Sequence, residues 1–236
     1  MAYHSLVVNG CSYMEAYASG NGYKDLAQQL GIENSQSLAI SGSANSRILR
    51  TTLKHSYQQT QPTFYVLGMT FLSRLEIPIL ENQPEFEGRW TNPQNQKYKN
   101  YWQYGWTDVQ TTQFVDLKLK SEIYSVLDRI EDLMYRIVSV IHDLKHRGHG
   151  VLIYQQADNL YQDYLSDTRL DLFKTHKEII DGYAWRAISW QHQQGIPSMY
   201  DNPSVPPDQR HPATGHHQKL NEFLVSYIHR WNILSQ

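Results

Sequence analysis

The chain has 236 residues, 40% of them hydrophobic, with 21 Lys and Arg against 23 Asp and Glu for a formal net charge of −2. This length and composition fit one folded α/β domain carrying an insertion, and the near-balanced charge supplies no global field to draw nucleic acid or an anionic membrane. A single cysteine, Cys11, excludes an intramolecular disulfide framework.

Met1 to Asn9 lacks a basic start, and its apolar run is too short for a signal peptide. The expected compartment is the cytoplasm, with association with a phage particle as the other setting. Ser5 to Asn9, closed by Gly10, predicts a buried strand ended by a turn. Tyr23, Leu26, Ala27 and Leu30 follow helical spacing, and Gly31 closes that segment. Leu38-Ala39-Ile40 predicts a second strand, Gly42 breaks it, and Ile48, Leu49, Thr52 and Leu53 mark a helix from Ala44 to about Gln58. Thr63 to Leu67 predicts a third strand, again ending at a glycine, Gly68. Three strand–glycine–helix units in succession imply a parallel, helix-covered sheet.

That rhythm stops between Leu75 and Asp116, where Pro78, Pro84 and Pro93 interrupt a polar stretch containing Trp90, Tyr98, Tyr101, Trp102, Tyr104 and Trp106. The expectation is an insertion, at about residues 75–118, with little regular structure beyond one hairpin. One apolar stripe from Ile123 to Leu144 predicts a long helix over about Leu119 to His146. Val151 to Tyr154 predicts a fourth strand, Ile179 to about Gln193 a helix, and Ser198-Met199-Tyr200 a short last strand. Asn202 to Pro212 reads as a loop, and Gly215 to about Trp231 as the closing helix. The order implies a three-layer α/β/α sandwich, its mostly parallel sheet holding about five strands, all within a single domain over residues 1–236. In such sheets functional residues gather beyond the carboxyl ends of the strands.

Ser12 stands two residues past the glycine that ends the first strand. There a turn or helix begins and aims backbone N–H groups toward the hydroxyl; capping that turn is the plainer role. Near the other end, Asp208 precedes His211 by three residues within one loop. A carboxylate so placed can accept the Nδ1–H of the imidazole and leave Nε2 to take a serine proton. A surface ion pair is the alternative.

Gly10-Cys11-Ser12-Tyr13 resembles the first block of the SGNH/GDSL hydrolases, Ser41-Gly42 their second, and Asp208-x-x-His211-Pro212 their last. The resemblance spans both ends of the chain and not the insertion. It implies an SGNH-hydrolase or flavodoxin-like fold in which Ser12, His211 and Asp208 form a catalytic triad and the N–H groups of Ser12 and Gly42 hold the oxyanion. The third block departs from the family pattern: Gly68-Met69-Thr70-Phe71 carries Thr70 where the family has an oxyanion-binding asparagine. Thr70, Asn45 and Arg74 are the candidates for that role, and both Thr70 and Asn45 could equally hold loops together.

Cys11 adjoins the serine, but neighbours in a turn point in different directions, and a buried thiol is inert. His211, His216, His217, His146 and His149 lack the cysteines or paired carboxylates that would complete a zinc site, so neither metal nor cofactor is expected. Gly20-Asn21-Gly22 lacks the context of a dinucleotide-binding loop. Trp90, Trp102 and Trp106, with Arg74, are candidate substrate contacts, since loop aromatics stack on sugar faces; a small core of the insertion's own is the other use of these rings. The expected activity is hydrolysis of short acyl, chiefly acetyl, esters of a small molecule or glycan. The alternatives are a catalytically silent SGNH-like module that binds glycan or serves structurally, and a lipase or thioesterase. Neither nucleic acid nor membrane is an expected partner.

Overall fold

The computed structural model describes residues 3–40, 43–70, 75–78, 101–104, 126–155, 168, 171, 175–180 and 216–235. Outside them lie Ser41, Gly42, Arg74, Trp90, Trp106, the expected strand at 198–200, and the loop bearing Asp208 and His211.

Strand β1 (Ser5–Gly10) is followed at once by helix α1 (Ser12–Ser19), then α2 (Gly22–Gln29), β2 (Asn34–Ser37), α3 (Asn45–Ser56) and β3 (Thr63–Met69). Next come β4 (Leu75–Pro78), β5 (Tyr101–Tyr104), α4 (Val126–His146), β6 (Gly150–Gln155) and α5 (His216–Arg230). Among the described residues the main sheet is four-stranded and wholly parallel, in the order β2-β1-β3-β6. Because β2 and β3 flank β1 on opposite sides, the strand order reverses at β1, and in open α/β sheets ligands bind beyond the carboxyl ends of the strands at such a point.

Strand periodicity divides the core in two. Leu6, Val8, Phe64, Val66, Leu152 and Tyr154 meet Met14 and Tyr17 of α1, Leu26 of α2, and Leu220, Leu224 and Ile228 of α5. The alternating residues Val7, Tyr65, Leu67, Val151 and Ile153 meet Ile48 and Leu49 of α3 and the α4 stripe from Ile130 to Leu144. A parallel strand covered on both faces must be apolar at successive positions, which is why β1, β3 and β6 are continuous apolar runs in the sequence.

Several expectations are corrected. The second strand lies at Asn34–Ser37 rather than Leu38-Ala39-Ile40. It is the sheet's edge, half exposed, so its polar residues cost little; Leu38 and Ile40 still donate backbone hydrogen bonds to Val8 and Gly10 as the chain leaves it. The helix expected to begin at Ile179 does not begin there. Ile153 N–H donates to Glu178 C=O and Ile180 N–H to Ile153 C=O, both at 2.8 Å, so residues 178–180 pair in parallel with the outer edge of β6. Glu178 is buried there against Lys145 Nζ at 2.6 Å. Within the expected insertion, β4 and β5 pair antiparallel, Leu75 opposite Tyr104.

Candidate active site

The parallel register sets Gly10 beside Gly68, so the turns after β1 and β3 open at the same end of the sheet. Ser12 is the first residue of α1, and Cys11 is the N-cap, with no hydrogen bond from its side chain to the first turn. Cys11 is wholly buried and packs with Tyr13, whereas Ser12 is partly exposed. Of these two adjacent residues, only Ser12 has any solvent exposure.

Asn45 and Thr70 face the same rim from the start of α3 and the end of β3. Asn45 Oδ1 accepts from Thr70 N–H at 2.8 Å, and Asn45 Nδ2 donates to Thr70 C=O at 3.0 Å. One Nδ2 hydrogen serves that bond, so the amide keeps a second donor. Thr70 Oγ1 is shut off from solvent and Asn45 is also buried, so both stay candidates for the oxyanion donor.

Two residues on this rim escaped the sequence reading. Asn9, fully buried, accepts from Gly10 N–H through Oδ1, and its Nδ2 lies 2.9 Å from each of Ile48 C=O, Thr51 Oγ1 and Thr52 Oγ1. Its signal was a lone amide in an apolar strand. Arg47, also fully buried, donates from Nη1 to Ser43 Oγ at 2.8 Å; an arginine near the start of an amphipathic helix carries no signal of burial.

Two of the histidines weighed as metal ligands have other contacts among the described residues. His149 Nδ1 accepts from Thr63 N–H, and His217 packs edge-on against Tyr17. Burial holds both imidazoles below their ordinary pKa. Among the described residues no cluster of three or more His, Cys, Asp or Glu is poised to hold a metal, and no helix is long and apolar enough to cross a membrane. Of the proposed substrate contacts, Trp102 falls in β5; Arg74, Trp90 and Trp106 lie outside the described residues, as do Gly42, Asp208 and His211.

No protein-family model matches the chain, and no curated protein matches it either.

Proposed function

We propose that the chain is a serine hydrolase of the SGNH type, a three-layer α/β/α sandwich that cleaves short acyl esters. Ser12 Oγ attacks the ester carbonyl and passes its proton to His211 Nε2, while Asp208 stabilises the imidazolium. The developing oxyanion is received by the N–H groups of Ser12 and Gly42, with the second Asn45 amide hydrogen in the place of the family asparagine. His211 returns the proton to the leaving alcohol; water, deprotonated by the same imidazole, then frees the acid and regenerates the hydroxyl. An acetyl ester on a carbohydrate is the favoured substrate, on the strength of the aromatic residues between 90 and 106.

The observation that carries this reading is the place of Ser12: partly exposed, at a helix N-terminus, beyond β1 where the strand order reverses. Chain reach supports it. The His217 ring lies against Gly20, at the far end of α1. The eight residues of α1 span about 12 Å, and the six-residue step from His217 back to His211 spans up to about 20 Å. That length of chain is enough for His211 to reach the serine.

A fluorophosphonate probe tests the reading. It labels Ser12, as located by peptide mass, and p-nitrophenyl acetate turnover is lost in Ser12→Ala but kept in Cys11→Ala. No labelling and no turnover of any short acyl ester, alongside measurable glycan binding, turns the reading to a silent module, which the altered third block favours. A preference for long acyl chains or thioesters turns it to a lipase or thioesterase.

A further inference from the structure

Gly20-Asn21-Gly22 has no phosphate-loop context, yet the fold uses it closely. Asn21 adopts a left-handed conformation, φ 62°, which asparagine tolerates better than most residues. A Cβ at Gly20 would overlap the His217 ring, and a Cβ at Gly22 would overlap the ring of Tyr17. The elbow between α1 and α2 thus has no room for a side chain at Gly20 or Gly22, and α5 packs against it.

Three buried groups fasten the elbow. The Tyr17 hydroxyl lies 2.8 Å from Gly22 C=O and 2.5 Å from Asn221 Oδ1, and donates its proton between them. Asn221 Nδ2 donates to the same Gly22 carbonyl at 3.0 Å. Tyr17 and Asn221 are fully buried, with the edge of His217 against the Tyr17 ring. Residues 204 positions apart are thereby locked together on the helix that begins with Ser12. Asn221 is one turn beyond the start of α5, the helix that the chain enters five residues after His211. A hydrophobic contact would join the two helices without fixing one against the other. A closed triangle of directional bonds sets both their separation and their rotation.

We propose that Tyr17 and Asn221 are positioning residues that fix the entry of α5 against the Ser12 helix and so set how the chain bearing His211 approaches the nucleophile. The consequence for catalysis rests on the serine-hydrolase reading; the joint itself is tested apart from it.

In a Cys11→Ala background, Ser12→Cys and His211→Cys provide two thiols for bridging by 1,3-dibromoacetone. The measurement is made with the joint intact and again with Tyr17→Phe, which removes one hydroxyl and keeps the ring, or with Asn221→Ala. Bridging forms with the joint intact and slows roughly 10-fold or more in each variant at an unchanged circular dichroism spectrum, because small displacements weigh heavily on reactions between positioned groups. Where Asn221→Ala does not fold, Tyr17→Phe decides. Equal bridging with and without the joint, or none with it intact, overturns the proposal. Joint-dependent bridging in a protein whose Ser12 takes no fluorophosphonate upholds the joint and rejects the hydrolase. In an active enzyme Tyr17→Phe lowers kcat and leaves KM within about twofold, since the lost interaction acts on the transition state.

Discussion

Asn45 and Thr70, 25 residues apart, are joined face to face: the side-chain amide of one takes both the N–H and the C=O of the other. The pair ties the start of α3 to the end of β3 beside the turn that presents Ser12. Asn45→Ala orphans a buried backbone donor and acceptor, at about 1–3 kcal/mol for each group left unsatisfied. Asn45→Asp keeps the acceptor for Thr70 N–H but sets a carboxylate against Thr70 C=O and, if the chain is the proposed hydrolase, against the developing oxyanion. Urea unfolding of both variants should show destabilisation, and p-nitrophenyl acetate turnover in Asn45→Asp should fall on the order of 100- to 1000-fold beyond what any unfolded fraction explains, the usual cost of a lost oxyanion donor. Turnover that follows the folded fraction alone would return Asn45 to a purely structural role.

Asn9 carries a comparable load inside the sheet. Its amide reaches Gly10 N–H on its own strand and the Ile48 carbonyl on α3. Asn9→Leu fits the apolar surroundings but strands Gly10 N–H, while Ile48 C=O keeps the Thr51 hydroxyl as a donor, so a loss of about 1–3 kcal/mol in unfolding free energy is expected. Asn9→Asp retains the acceptor and forfeits the donor, and should fall between wild type and Asn9→Leu at pH 7. An Asn9→Leu midpoint equal to wild type in urea would show that the amide is dispensable.

What the sequence disclosed follows from range. β1, β3 and β6 are apolar on successive positions, and α4 keeps one stripe over several turns, so each is legible from its own residues. β2 is not: an edge strand with one side in water can be Asn-Ser-Gln-Ser. The apolar pair Ile179-Ile180 resembles a helix start until β6 is known to lie beside it. Ser12 could be placed because a strand, a glycine and a hydroxyl fall within a few consecutive residues. The amide pair at the rim and the Tyr17–Asn221 joint could not, since they depend on partners 25 and 204 residues distant. Arg47, buried on α3, is another residue whose environment only the fold reveals.

Acid should weaken this protein in a window set by buried histidines. His149 is held below its ordinary pKa of 6.5 first by burial and further by Arg147, with its hydrogen bond to Ser56 and the charge of Asp143 acting the other way. His55 is lowered by burial and by His149; its Nδ1 meets Tyr65 Oη at 2.9 Å, and Nε2 faces the amide nitrogens of Gln36 and Gln59, an arrangement that suits the neutral ring. His217 is lowered by burial, with Asp25 opposing. For a histidine with a depressed folded pKa, the unfolded chain takes the proton first. Stability is therefore full above pH 6.5 and declines as the pH falls from there toward the lower folded values. Each histidine that titrates this way contributes a slope of up to about 1.4 kcal/mol per pH unit. The Glu178 carboxyl, burial opposing, is lowered by Lys145 and His176; its own loss belongs below pH 4.5, outside this window. Urea unfolding at pH 7.5, 6.5 and 5.5 should show the decline. His149→Gln, whose carbonyl can still accept from Thr63 N–H, should flatten it by about one proton's worth. Equal unfolding free energies at pH 7.5 and 5.5 would mean that these imidazoles take up protons in the folded protein as readily as in the unfolded chain.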